Sequence, residues 1–440
     1  MSDALPLPPR PNLEQYKKLA KDLQRACKSG DANAIRDWAV KWIETLSRLQ
    51  KIAITDAHRR KMNYAAEQLQ RRWLKLQQTN ERATRCVLAD AQFFVARSHG
   101  FASWPRFAKH LEGLARAGSP VATYEAAVEA IVDGDLAVLK RLLRRNPELA
   151  RTRSMRAHRS TLLHYVSANG VEDFRQRTPM NIVEIARLLL NAGADVNAES
   201  DAYGGRSTAL GLTATSCHPQ AAGVQLPLME LLIDHGAIID GPDSGSAVNA
   251  CLHNGRGEAA KFFADRGAQL DLEGAAGVGR LDVVGSFFTE DGSLKSTTTE
   301  QQMKDGFAWA CEFGRPSVVE YLLQRGMKVD ERLKHDGESG LHWAAYEGHV
   351  DVVKLLLDHG APVDMRDESY DGTPLGWALY GWGAPERRGG PSYYEVVRLL
   401  IQHGAKLDPD WYEDDEDRQE ARAKLRSDPQ MVAALGDQMF

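Results

Sequence analysis

Aromatic and acidic residues recur at a fixed spacing in the last third of the chain, and their types suit binding or acid–base chemistry. Trp309, Trp343 and Trp377 follow one another at intervals of 34 residues. Five further residues lie about one helical turn beyond these tryptophans: Glu312, Phe313, Tyr346, Glu347 and Tyr380. Residues three or four apart share one face of a helix, and aromatic side chains supply much of the energy at protein interfaces. The pattern therefore predicts a partner-binding surface of these eight residues, with Tyr346 as the anchor and with Tyr380 and Phe313 beside it.

Two other interpretations of the same residues stay open. Stacked helices also need large side chains between them, so the three tryptophans are suited to packing as well as to binding. Glu312 and Glu347 would lie on adjacent helices, whose axes pack about 8–10 Å apart. Inverting glycosidases need two carboxyl groups about 6.5–9.5 Å apart. These glutamates are therefore the candidate catalytic pair if the protein is an enzyme, or the polar part of a carbohydrate or small-molecule site.

The sequence carries no other pattern that is typical of catalysis or metal binding. It contains no Walker loop, no Gly-x-Ser-x-Gly and no His-Glu-x-x-His. Cys217 with His218, and Cys251 with His253, each form half of a zinc ligand set without a second half nearby. The five cysteines are odd in number and lack redox spacing, which favours a reducing compartment. We therefore expect no metal and no cofactor.

The hydropathy pattern predicts a protein that stays in the cytoplasm. The first twelve residues, MSDALPLPPRPN, lack the apolar segment of a signal peptide. No run approaches the roughly 18 apolar residues that a membrane-spanning helix needs. We expect no membrane contact.

The aromatic positions belong to a helical unit that repeats along the chain. Residues 336–372 are predicted to form a turn, a helix, a Gly-His break, a second helix and an extended tail. The ending of two apolar residues, two others and glycine recurs at seven positions: Gly193, Gly236, Gly267, Gly292, Gly326, Gly360 and Gly404. A glycine there allows the left-handed backbone that ends a helix. One such unit cannot bury its apolar face alone, so the recurrence predicts a stacked array.

The residues around these glycines resemble the ankyrin repeat over about 120–408. The tails GADVN, GAIID, GAPVD and GAKLD follow the glycines, and TLLH, GLH and TPLG open first helices. The resemblance implies an all-α solenoid of seven or eight helix–turn–helix repeats whose concave groove binds a partner protein. It also implies that the position of His342 serves backbone hydrogen bonding. The stretch at 271–279 departs from the pattern and predicts a degenerate repeat.

Charge divides the chain into a basic head and an acidic array. Residues 1–118 hold 22 Lys and Arg against 11 Asp and Glu, whereas the remainder holds 33 against 49. The head is predicted to be a bundle of five helices, followed by the array at 119–408 and an acidic capping helix at 409–440. Both ends of the head resemble a segment that precedes ankyrin arrays in bacterial proteins, which suggests a bacterial source. The opposite charges predict association of the head with the array, in the same chain or another copy.

The basic clusters of the head have two interpretations. Arg59–Lys61 and the cluster of Arg71, Arg72 and Lys75 could contact phosphate, but such clusters are also typical of the solvated face of an amphipathic helix. The sequence contains no recognised nucleic-acid module. We therefore expect no nucleic-acid partner.

Overall fold

The protein consists of helices. The structure is a computed structural model that describes residues 3–31, 33–49, 55–79, 86–241, 245–333, 337–384, 391–408 and 416–438. Within these ranges, β structure is limited to isolated bridges such as Ser200 with Ser207. The predicted all-α architecture of helix–turn–helix repeats is confirmed. None of the described helices has both the length and the apolar character needed to cross a membrane.

The chain divides into two compact units, Met1–Ile239 and Asp240–Phe440. The first unit begins with the helices of the head, which are α1 (Leu13–Lys28), α2 (Ala34–Leu49), α3 (Asp56–Thr79), α4 (Leu88–Ser98) and α5 (Trp104–Leu114). Asn12 caps α1 because its side chain accepts a hydrogen bond from the Glu14 N–H at 2.9 Å. Tyr16, Trp73 and Phe107 are fully buried where these helices meet.

A disulfide joins Cys27, in the last turn of α1, to Cys86, two residues before α4. The pair encloses α2 and α3, so residues 59 positions apart become neighbours. Cysteines this far apart match no recognised motif, so the sequence did not predict the bond. Cys217 is a free, exposed thiol, whereas Cys251 and Cys311 are free and buried. Burial raises the pKa of Cys251 to about 12, so that thiol is not a nucleophile at neutral pH.

The first three repeats complete the first unit. Their helices are α6 (Pro120–Val132), α7 (Leu136–Arg145), α8 (Ile182–Asn191), α9 (Ala209–Thr215), α10 (Cys217–Ala221) and α11 (Gln225–Asp234). The first helix of the second repeat, predicted from TLLH, is a 3₁₀-helix at Leu162–Ser167. It ends at Ala168, whose left-handed backbone (φ 46°) stops the helix before it can lengthen.

The second unit contains the remaining repeats and the C-terminal helices. Repeats four to six are α12 (Ala247–His253), α13 (Gly257–Ala264), α14 (Leu272–Val278), α15 (Leu281–Gly285), α16 (Glu300–Glu312) and α17 (Pro316–Gln324). Repeats seven and eight, with the closing pair, are α18 (Gly340–Glu347), α19 (Val350–Asp358), α20 (Pro374–Gly383), α21 (Pro391–Gln402), α22 (Glu416–Arg426) and α23 (Pro429–Leu435). Of the predicted acidic cap, residues 409–415 lie outside the described residues, as do 385–390 of the insertion in repeat eight.

Glycines set the geometry of the array in two ways. All seven repeat-ending glycines have positive φ, including Gly360 at 81°. Six of them follow a helix end as predicted, whereas Gly292 lies in a turn between Phe288 and Leu294, seven residues after α15 ends. Gly381 acts differently, because it allows α20 to approach α18 closely. A Cβ at Gly381 would overlap the carbonyl oxygen of Tyr346. That carbonyl oxygen also accepts a hydrogen bond from the Tyr393 hydroxyl at 2.9 Å.

Candidate functional site

Four aromatic side chains on α18 and α20 form one group of touching rings, which we call the aromatic surface: Trp343, Tyr346, Trp377 and Tyr380. The ring centroids of Trp343 and Trp377 are 5.3 Å apart with the planes at 82°. Tyr346 meets Trp377 at 5.8 Å and 76°, and it stacks on Tyr380 at 6.1 Å and 17°. These edge-to-face and offset arrangements are the favoured geometries for aromatic pairs. Tyr380 is 73% exposed, whereas the other three rings are half-buried.

Each of the three regularly spaced tryptophans donates its indole N–H to a carboxylate. Trp343 donates to Glu338 at 3.0 Å and Trp377 to Asp367 at 3.0 Å. In the preceding repeat, Trp309 donates to Glu273 at 2.9 Å. All three carboxylate residues are buried. Hydrogen bonds to charged groups are stronger than neutral ones, so the indoles are held in fixed orientations. The sequence did not reveal these pairs.

Asp367 also organises the turn that precedes α20. Its carboxylate accepts hydrogen bonds from the backbone N–H groups of Ser369 at 3.0 Å, Tyr370 at 2.6 Å and Gly372 at 2.9 Å. Burial raises the pKa of this carboxyl, but these donors and the Trp377 indole lower it by more, so the pKa lies below its usual value. The turn presents Tyr370, which is 77% exposed. Sequence reasoning missed Tyr370 because it lies between repeats.

Trp309 and Phe313 form a separate group in the preceding repeats. Trp309 contacts His253 at 4.9 Å and Phe313 at 6.1 Å, measured between ring centroids. Phe313 packs on Gly257, where a Cβ would lie 2.6 Å from the ring. Phe313 therefore packs with Trp309 and Gly257. Its place beside Tyr346 in a partner-binding surface stays a prediction.

The two glutamates of the catalytic alternative differ in their exposure. Glu312 is buried at 8% exposure, and its backbone carbonyl accepts a hydrogen bond from the His349 ring at 2.8 Å. Glu347 is half-buried at the end of α18. Their pairing in catalysis stays a prediction. Among the described residues, no cluster of three or more His, Cys, Asp or Glu side chains could hold a metal ion.

His342 has a structural role in the first turn of α18. Its Nδ1 accepts the Ser339 backbone N–H at 3.0 Å, so Nε2 carries the proton and donates to the Gly372 carbonyl at 3.2 Å. Burial lowers the pKa of His342 to about 4, which keeps the ring neutral at pH 7. His164 makes the equivalent bonds in the second repeat, from the Thr161 N–H and to the Ser207 carbonyl. These rings join one repeat to the turn that follows it.

A buried cluster of charged residues, which no sequence pattern predicted, lies in the first unit. Glu172 and Arg175 come from residues 171–179, an insertion between the two helices of the second repeat, and Arg175 also pairs with Glu125 of α6 at 2.7 Å. Arg156 pairs with Glu172, and each of these four side chains is at most 10% exposed. Burial raises the pKa of Glu172, but Arg156 and then Arg175 lower it well below the usual range. The segment therefore contributes Val171, Glu172 and Arg175 to the buried interior, while Asp173 and Arg177 stay exposed.

Arg156 also connects the repeats to the head. Its Nη1 donates to the carbonyl oxygen of His99 at 2.7 Å, and its guanidinium lies 5.1 Å from the centroid of the Phe101 ring. The Ala157 backbone N–H donates to the Gly100 carbonyl at 2.7 Å. The head is thus joined to the first repeats by specific buried bonds rather than by surface charge alone. The predicted association of the head with the array of another copy would be a separate interaction, in addition to these bonds.

Comparison with known proteins finds ankyrin repeats in the C-terminal part of the array. Residues 307–410 match the family model described as Ankyrin repeats (3 copies). Among solved structures, the chain is similar to the human ASB11 ankyrin repeat domain, at 22% identity and a TM-score of 0.32. That similarity covers 64% of this chain and 99% of the other. No curated protein matches the chain.

Proposed function

We propose that the protein is an interaction scaffold and that the aromatic surface on α18 and α20 binds a partner protein. Ankyrin repeats over 307–410 support a role in protein–protein interaction in general. The exposed stack of Tyr380 on Tyr346 is the observation that carries the choice of surface. Large aromatic side chains with a solvent-facing ring are typical anchors at interfaces. Glu347 beside the rings would select a basic or hydrogen-bonding group, and Glu312, being buried, would act less directly.

The side chains of the aromatic surface are held in place by contacts within the protein itself. Trp343 and Trp377 are held by buried carboxylates, and Tyr346 is held between Trp377 and Tyr380. Side chains that are already ordered lose little conformational entropy on binding, which leaves more of the contact energy as affinity. This preorganisation favours a binding role over a purely structural role for the aromatic surface. Packing between helices does not require an exposed ring such as that of Tyr380.

Substitution of Tyr380 tests the proposal with little disturbance of the fold. A phage-displayed library of random peptides is selected on the immobilised full-length protein, and the affinities of the selected peptides are measured by fluorescence polarisation. Loss of an interface anchor commonly costs about 2 kcal/mol, so Tyr380→Ala should weaken binding at least tenfold. Tyr346→Ala should do the same but will also remove ring contacts within the protein.

Tyr64→Ala is the matched control, because Tyr64 is 65% exposed on α3 of the head. It should leave both the affinity and the unfolding temperature unchanged. Peptides whose affinity is the same for Tyr380→Ala and the unsubstituted protein would count against this surface. Binding or turnover of an oligosaccharide panel, lost in Glu312→Gln and Glu347→Gln, would instead support the enzyme or carbohydrate alternative.

A further inference from the structure

We infer that the partner segment is extended and basic, with arginine or lysine side chains that lie on the aromatic surface, and that Tyr370 is a second contact point for it. This inference rests on the proposed function, since it concerns the same surface. It adds the chemical class of the partner and a residue outside the predicted eight.

The segments that build the surface are acidic. Residues 337–347 and 364–380 carry six carboxylates against one cation, Arg366: the carboxylates are Glu338, Glu347, Asp364, Asp367, Glu368 and Asp371. Arg366 is already engaged, because it pairs with Asp371 at 3.0 Å and Asp408 at 2.8 Å. Glu368 lies 3.6 Å from Arg332, yet its side chain remains 68% exposed, and that of Asp371 remains 77% exposed. A cationic segment complements this excess, whereas an acidic one is repelled.

Asp367 places the turn and the aromatic surface in a fixed relation. The same carboxylate accepts the backbone N–H of Tyr370 and the indole N–H of Trp377. Movement of the turn would break hydrogen bonds to this buried carboxylate, and a buried carboxylate without its donors costs free energy. The Tyr370 ring is therefore presented from a rigid turn and not from a loose loop. Asp367 is a positioning residue here, because it acts through Tyr370 and Trp377.

Aromatic rings next to carboxylates favour guanidinium and ammonium groups. A cation over an aromatic face gains about 0.5–2 kcal/mol, and arginine is used more often than lysine. This chain uses the same contact elsewhere, with Arg325 4.9 Å from the Tyr321 ring centroid and Lys424 5.0 Å from that of Trp382. The exposed ring of Tyr370 lies in the same turn as the exposed carboxylates Glu368 and Asp371, which suits a bound cation there.

The helix spacing sets the expected spacing of the cations. Adjacent packed helices lie about 8–10 Å apart, and a chain extended in the polyproline II conformation advances about 3.1 Å per residue with three residues per turn, so its residues i and i+3 share a face. Cationic side chains about three residues apart would therefore meet α18 and α20 in turn. The segment that fits best carries arginine at positions i and i+3 with small residues between them.

The test uses the full-length protein and four fluorescein-labelled twelve-residue peptides of Gly and Ser. The peptides carry Arg, Lys, Gln or Glu at two positions three residues apart, and binding is followed by fluorescence polarisation at low and high salt. We expect the Arg peptide to bind most tightly, at least tenfold better than the Gln peptide, and to weaken as salt rises. The Glu peptide should bind least.

Matched variants separate this inference from the proposed function. Tyr370→Ala and the double change Glu368→Gln with Asp371→Asn should each weaken the Arg peptide about five- to tenfold. Tyr203→Ala, at a turn tyrosine that is 69% exposed, and Asp351→Asn, at an exposed carboxylate on α19, should not. If library-selected neutral peptides depend on Tyr380 while the Arg and Gln peptides bind alike, the inference is wrong and the proposed function stands. If no peptide depends on Tyr380, the proposed function fails as well.

Discussion

Reduction of the disulfide between Cys27 and Cys86 should destabilise the head by an amount that follows from its place in the chain. The bond joins residues 59 positions apart. Closing a loop of that size restricts the unfolded chain by about 14 cal/mol/K, or about 4 kcal/mol at 25 °C. The enclosed helices α2 and α3 contribute Trp38, Trp42 and Trp73 to the core of the head. The loss should therefore appear as earlier unfolding of the head.

The assay must follow the head separately from the repeats. Pulsed hydrogen exchange with mass spectrometry, at a series of urea concentrations, reports on α1 and α4 peptides individually. For a urea slope of about 2 kcal/mol per molar, the midpoint for these peptides should fall by about 2 M on reduction. Cys27→Ser should reproduce the effect without reductant. Cys217→Ser, which removes an exposed free thiol, should leave the midpoint unchanged.

Two results would refute the reasoning. One is an intact mass that shows no disulfide after oxidation, because the two sulfur atoms would then not be neighbours in solution. The other is the same midpoint for the oxidised and reduced proteins, because the loop would then contribute nothing to the unfolded state.

Three further perturbations have defined outcomes. Gly381→Ala should lower the free energy of unfolding in urea by about 1–3 kcal/mol, because the added Cβ would overlap a carbonyl oxygen of α18. Gly383→Ala is the control, because a Cβ there would lie 3.8 Å from its nearest neighbour, and it should leave the free energy of unfolding unchanged. Arg156→Met should cost about 3–5 kcal/mol by removing one of the two guanidinium groups that balance the buried Glu172. Arg177→Met removes an exposed pair and should change stability by less than about 1 kcal/mol. Burial lowers the pKa of His110 to about 4. Between pH 6.5 and 4 this histidine is therefore protonated in the unfolded state but neutral in the folded state. Stability should fall as pH drops through that window, by about 2 kcal/mol at pH 5 from this residue, and His110→Gln should flatten the dependence in unfolding measured at pH 7 and 5.

Local signals in the sequence predicted much of the fold. The repeat-ending glycines were recognisable because a left-handed helix end strongly favours glycine, and all seven have positive φ. The role of His342 followed from its place in the ankyrin-like motif, and the hydrogen bonds to Ser339 and Gly372 agree with it. Such features depend on residues within one repeat or its neighbour, so the spacing along the chain is enough to find them.

Features that depend on distant residues were missed. No pattern in the sequence predicted burial within 171–179, but Glu172 and Arg175 are buried against Glu125 and Arg156. The grouping of the aromatic residues was only partly predictable. The 34-residue register gave the neighbours on α18 and α20 correctly, but it could not show that Phe313 packs on Gly257. Contacts of this kind depend on how helices are rotated and spaced, which periodicity does not specify.

The indole–carboxylate pairs have a consequence for how this surface can change during evolution. The tryptophans keep one register, but their acceptors do not: Glu273 precedes Trp309 by 36 residues, Glu338 precedes Trp343 by 5, and Asp367 precedes Trp377 by 10. The three tryptophans share an indole N–H that donates to a carboxylate, but their acceptors share no sequence position. A lineage could therefore exchange one acceptor for another through an intermediate that has both, without altering the tryptophan. The ring surface can persist while the acidic positions that support it drift between turns and helices.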